Sequence, residues 1–183
     1  MLIYIDMYLT YTNLWNSTKN SKEYIMFLFY WLKLLKNNFL FLILFVAAFM
    51  IHGFLVSSIF KLFDIHLPNV LEDESILFKI FLAIIFAPLL ETLLFQFLVY
   101  KGLERICRDG FRSYIFLISS AVIFAAQHFY SVWYIVGTII PGILLAYCFL
   151  HFTNKYSSTK YGFWFTALSH GLCNSVVLFS EFI

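Results

Sequence analysis

Five apolar stretches, each close to the ~20 residues that a membrane-crossing helix needs, alternate with short polar segments along the chain. They cover residues 39–60, 76–100, 113–130, 132–152 and 162–182. The third and fourth nearly touch, so a tight turn is expected near residues 130–132. Residues 24–35 are also apolar but too short to cross. Flanked by Lys22, Lys33 and Lys36, they predict a helix lying in the membrane interface. The pattern therefore predicts an all-α membrane protein. It is a polytopic bundle of about five transmembrane helices with an N-terminal interfacial helix. An N-terminal arm, residues 1–37, precedes a transmembrane domain, residues 38–183.

Composition removes the competing classes. Of 183 residues, 62% are hydrophobic and 22% aromatic, more apolar surface than a water-soluble core of this length can hide. Charged residues make up 12%, about half of the ~25% usual in soluble domains. A disordered chain and a cytosolic globule are excluded. The formal charge is only +2, with the basic residues dispersed, which argues against a nucleic-acid partner. Cys107, Cys148 and Cys173 form neither a CxxC pair nor a zinc spacing, so they are read as reduced side chains and not as a disulfide framework. No Lys or Arg precedes Lys19, so no cleavable signal peptide is expected.

Charge also orients the bundle. Ten Lys and Arg fall in one set of alternate segments: the N-terminal arm, the loop with Lys101, Arg105, Arg108 and Arg112, and the loop with Lys155 and Lys160. The other set holds Lys61 beside Asp64, Glu72, Asp73 and Glu74, with Lys79 at a span edge. Basic loops stay on the cytoplasmic side, which predicts an internal N-terminus and an external C-terminus. A bacterial cytoplasmic membrane is the expected location.

Ionisable groups within hydrocarbon cost at least ~2.5–3.5 kcal/mol each and mark functional positions. Away from span edges there are four: His52, Glu91, His128 and His170. Glu91 lies in APLLETLLFQ, His128 in FAAQH and His170 in SHGLCN. Asn174 follows His170 by one helical turn on the same face. A carboxylate, two imidazoles and a carboxamide from three helices solvate one another if they converge on one cavity. Pro88, three residues before Glu91, predicts a kink, and small residues around His170 predict close helix packing. Pro141, with Gly137 and Gly142, predicts a bend in the fourth span. His52 belongs to no motif and is read as structural.

ETLLFQ, FAAQH and HGLCN, in this order on separate apolar segments, resemble the three motifs of the CPBP family. That family includes CAAX prenyl endopeptidases and bacteriocin-processing or self-immunity (Abi) membrane proteases. Its motifs are EExxxR, FxxxH and HxxxN or HxxxD. Glu91 matches the first Glu, Phe124 and His128 the second motif, and His170 and Asn174 the third. Thr92 stands where the family has its second Glu and Gln96 where it has Arg, and a Thr92–Gln96 hydrogen bond is the expected substitute for their ion pair. The resemblance implies an intramembrane endopeptidase acting on a membrane-associated peptide or a lipidated protein, with Glu91, His128, His170 and Asn174 catalytic and Thr92, Gln96 and Phe124 supporting.

Peptide hydrolysis needs an activated water, a stabilised oxyanion and a proton for the leaving amine. Glu91 is expected to deprotonate a water held by His128, with His170 and Asn174 facing the oxyanion. The same residues allow a second chemistry, in which Glu91, His128 and His170 hold a single zinc ion with an open position for water; the HEXXH spacing is absent. Two non-hydrolytic readings stand beside these: an inactive scaffold or self-immunity protein on the same fold, and a small transporter subunit. One difficulty is depth. At ~1.5 Å per residue, Glu91 and His170 lie ~13 and ~12 Å from the basic ends of their spans, but His128 lies ~22 Å in.

Overall fold

The computed structural model describes residues 21–66, 74–107 and 109–180. Residues 1–20, the acidic part of the first loop and the predicted end of the fifth span at Phe182 lie outside them. The described residues are helical, with no strand among them. Helix α1 runs Ser21–Leu62, α2 Ile76–Ile106, α3 Asp109–Ala126, α4 Val132–Tyr156 and α5 Thr159–Ser180. Four of them, α1, α2, α4 and α5, are long and apolar enough to cross a membrane. The protein is an all-α integral membrane protein.

Three boundaries differ from the sequence expectation. The expected interfacial helix and the first span are one continuous helix of 42 residues. Neither Pro nor Gly occurs between Ser21 and His52, so nothing interrupts the hydrogen-bond ladder. Asn38 stays within it by returning its own Nδ2 to Leu34 O at 2.7 Å. Helix α2 runs six residues past Tyr100, on an amphipathic turn pinned by Lys101 to Glu104 at 2.7 Å. Helix α3 ends at Ala126, so His128 sits in the turn to α4. There Ser131 caps α4 by accepting the Tyr134 N–H at 3.0 Å.

The chain falls into two compact units that divide between Leu42 and Ile43, inside α1. In the second unit, α3 packs on α4 and α4 on α5. Gly142 makes the first contact possible, since a Cβ there would stand 2.9 Å from the Ala121 Cα. At the end where α2 meets α3, Tyr100, Phe116 and Phe149 form an aromatic cluster with ring centroids 5.3–5.6 Å apart. Such contacts hold helices together in lipid, where hydrophobic driving force between them is lost.

Pro141 within α4 cannot donate to the carbonyl of Gly137, four residues back. His52 on α1 fills that vacancy, with Nε2 donating to Gly137 O at 2.9 Å. Neighbouring side chains commonly satisfy proline-freed carbonyls in membrane helices. His52→Phe keeps the ring and removes the donor. An unpaired buried carbonyl costs about 1–3 kcal/mol, and this one borders a cavity that water can reach. A loss near ~1 kcal/mol is therefore expected, read as a lower melting temperature in detergent; an unchanged melting temperature counts against the contact.

Candidate active site

The site begins with a break in α2. Within Phe81–Phe86 the helix widens to a π turn, and the Ala87 N–H reaches back to Leu82 O. In that register the next carbonyl, Ala83, would be met by Pro88, which has no N–H. Asn174 of α5 supplies the missing donor, its Nδ2 lying 2.8 Å from Ala83 O. One turn earlier, Gly171 sits against the same break. A Cβ there would be 2.6 Å from Ile84 O, so only glycine lets α5 approach this closely.

This approach brings the carboxylate and the imidazole together. Glu91 Oε2 is 3.7 Å from His170 Nε2, with the side chains 18% and 5% exposed. His170 Nδ1 is buried without a hydrogen-bond partner. Phe124 lies between the two histidines, its ring centroid 4.9 Å from His128 and 5.9 Å from His170. His128 donates Nδ1–H to Phe124 O at 2.9 Å, which leaves the Nε2 lone pair to accept a proton or a hydrogen bond. Tyr134 stacks flat on the His128 ring at 5.5 Å.

His128, His170 and Asn174 line one cavity of about 580 Å³, together with Phe124, Tyr134 and His52. Glu91 touches His170 and reaches the cavity lining through that contact. The expected difference in depth does not keep the groups apart, since His128 lines the same cavity as His170 and Asn174. Counted to their own ends at Ile106 and Thr159, Glu91 and His170 lie ~22 and ~16 Å along their helices, yet they touch.

Thr92 and Gln96 are fully buried. The expected hydrogen bond between them is not formed. Thr92 Oγ1 has no partner, and Gln96 turns to α3, where its Nε2 is 3.5 Å from Ser120 Oγ. Gln127 is a residue that sequence reasoning quoted in FAAQH but left without a role. Its carboxamide faces the Glu91 carboxylate, and its Nε2 has no other partner. Tyr134 gave no signal in the sequence.

Among the described residues, no three His, Cys, Asp or Glu side chains gather into a metal-binding set. Glu91 and His170 are adjacent at 3.7 Å, with no third side chain of that kind among the described residues gathered beside them. The side chains as placed do not fit a zinc ion.

A family model described as type II CAAX prenyl endopeptidase Rce1-like matches residues 73–176, more than half of the chain. The chain belongs to the Rce1-like family. The match contains all four motif residues, Glu91, His128, His170 and Asn174. No curated protein and no solved structure matches the chain. Membership gives this Rce1-like protein a kind of function, that of a CAAX-type intramembrane protease.

Asn174→Leu tests the join between α2 and α5. Leaving Ala83 O unpaired is expected to destabilise the protein by about 1–3 kcal/mol, measured as a lower melting temperature in detergent. A melting temperature equal to that of the wild type rules the join out.

Proposed function

We propose that this Rce1-like protein hydrolyses a peptide bond of a membrane-associated peptide or protein through a water activated by Glu91. The observation that carries this reading is the Glu91–His170 contact at 3.7 Å, made within the membrane and beside a cavity lined by His128 and Asn174. A buried carboxylate next to a buried imidazole is costly unless used or compensated.

In the proposed reaction the water sits where the cavity reaches the Glu91–His170 pair, hydrogen-bonded to the free Nε2 lone pair of His128 and within reach of the Glu91 carboxylate. Glu91 takes one of its protons as the oxygen attacks the scissile carbonyl carbon. His170, through Nε2–H, and Asn174, through its second Nδ2 hydrogen, stabilise the oxyanion. Collapse breaks the C–N bond, and Glu91 returns the proton to the leaving amine. Phe124 keeps the two imidazoles apart, and Gln127 steadies the Glu91 carboxylate. The proposed location is a bacterial cytoplasmic membrane, with the N-terminus inside.

A fluorogenic apolar peptide, presented to purified protein in detergent, tests the assignment. Wild type is expected to cleave it, and Glu91→Gln and His170→Ala are expected not to. One observation favours a second reading, an inactive scaffold on this fold: Thr92 and Gln96 replace a charged pair and leave Thr92 Oγ1 and Gln96 Oε1 unpaired. An inert wild-type protein across a panel of apolar peptides supports that reading instead.

A further inference from the structure

We propose that this protein takes its substrate from the extracytoplasmic face of the membrane, as an apolar peptide segment of the outer leaflet and not as a lipidated tail of a cytosolic protein. The inference rests on the hydrolase reading above and adds the side and chemistry of the substrate.

Two independent observations meet in it. The first is where the cavity opens. Its rim is formed by Lys61 in the last turn of α1 and by Asp64 and His66 just past it, and all three are exposed. Tyr134 in the first turn of α4 and Val177 near the end of α5 line the same end. None of the residues lining the cavity comes from the α2–α3 or α4–α5 connection.

The second is the distribution of charge. The α2–α3 and α4–α5 connections, with the helix ends that flank them, carry Lys101, Arg105, Arg108, Arg112, Lys155 and Lys160. The rim side carries Lys61 against Asp64, Glu72, Asp73 and Glu74. Short loops rich in Lys and Arg remain cytoplasmic. The rim therefore faces outward, and His128, at the end of α3 remote from the basic loop, faces outward with it.

The wall states the chemistry of the occupant. Its apolar lining includes Phe49, Val56, Phe60, Phe124 and Val177, a slot that fits an apolar peptide segment. At the rim, Lys61 and Asp64 oppose one another, so neither strongly acidic nor strongly basic peptides are selected. Residues 43–62 of α1 form one side of the slot, and their backbone stays further from the other helices than these stay from each other. The clasp between α1 and α4 is the His52–Gly137 hydrogen bond, with Val56 and Phe60 beside it. A peptide already in the bilayer can enter beside this loosely held helix.

The experiment uses the full chain in membranes of expressing bacteria. A single cysteine at Ser57, on the cavity wall, is introduced into a Cys107→Ser background, the other two cysteines being buried. Lys160→Cys in the same background serves as the opposite-face control. A membrane-impermeant maleimide is expected to label Ser57→Cys, and not Lys160→Cys, in intact spheroplasts. The wild-type chain is then given a fluorogenic apolar peptide with a charged, impermeant tag. Because the tag cannot cross hydrocarbon, cleavage is expected to be about tenfold or more faster in right-side-out than in inside-out vesicles. Labelling of Ser57→Cys only from the cytoplasmic side, or faster cleavage in inside-out vesicles, overturns the proposal. Detergent-solubilised protein, open on both faces, separates the two readings. Cleavage there with the wrong sidedness in vesicles removes only this inference, whereas no cleavage in detergent removes it together with the hydrolase assignment.

Discussion

Glu91→Gln is expected to lower the rate of peptide cleavage by about 10²- to 10⁴-fold, the usual contribution of a positioned general base. That corresponds to roughly 2.7–5.4 kcal/mol of barrier, at ~1.36 kcal/mol per tenfold. The change is isosteric. Glutamine keeps an oxygen and gains an amide where the carboxylate lies against His170 at 3.7 Å, and α2 keeps its two π turns and Pro88. Stability should move far less than the barrier, because one near-neutral polar contact replaces another. The effect therefore appears in kcat, with KM close to the wild-type value, since the substrate slot does not include Glu91. Single-turnover cleavage of the fluorogenic peptide, alongside melting in detergent, separates the two. Wild-type kcat in Glu91→Gln ends the assignment of Glu91 as the base. A collapse in melting temperature instead makes Glu91 a structural acid.

The second large effect is expected from one methyl group. Gly171→Ala places a Cβ 2.6 Å from Ile84 O. The obstacle is backbone, which cannot rotate away as a side chain would, so α5 must shift from α2. Overpacking of this kind costs about 1–3 kcal/mol. The catalytic consequence is greater, because His170 precedes Gly171 and Asn174 is one turn on. Displacing reacting groups by ~1 Å can cost on the order of 10²-fold in rate. The expected outcome is a destabilised protein with cleavage reduced about 10²-fold. Gly102→Ala is the control, since a Cβ there meets nothing within 4 Å. It should leave cleavage unchanged and stability equal or slightly higher, as alanine favours helix over glycine by roughly 0.5–1 kcal/mol. Equal activity in Gly171→Ala and wild type shows that the α2–α5 approach does not set the site.

The two effects belong to different layers of the molecule. Glu91 was legible because a carboxylate in an apolar run is conspicuous in one dimension, and FxxxH and HxxxN gave it companions. Gly171 was noticed only as one small residue among several near His170. Its importance depends on a carbonyl 87 positions earlier, and no local pattern encodes that distance. The same holds for Asn174. Its spacing from His170 suggested an oxyanion donor, but one of its Nδ2 hydrogens is already given to Ala83 O. His52 belongs to no motif, and its partner, Gly137 O, becomes clear only once Pro141 is seen to leave that carbonyl free.

Where sequence reading erred, it had treated helices as independent rods. The expected break between the interfacial segment and the first span is absent, because a short run of lysines and asparagines changes polarity without interrupting backbone hydrogen bonds. The expected Thr92–Gln96 bond is absent because Gln96 finds Ser120 on another helix. The expected depth mismatch does not keep His128 from the cavity that His170 and Asn174 line.

By itself the sequence determined the helical membrane class and the identities of the few polar groups placed within it. These follow from hydropathy and charge, which sum along the chain and need no partner. The tertiary structure alone decided which of those groups touch: the stagger of the helices, the π turns of α2 and the proline-freed carbonyls claimed by Asn174 and His52. Such contacts depend on how tightly two backbones approach, a distance fixed by packing between residues far apart in the chain.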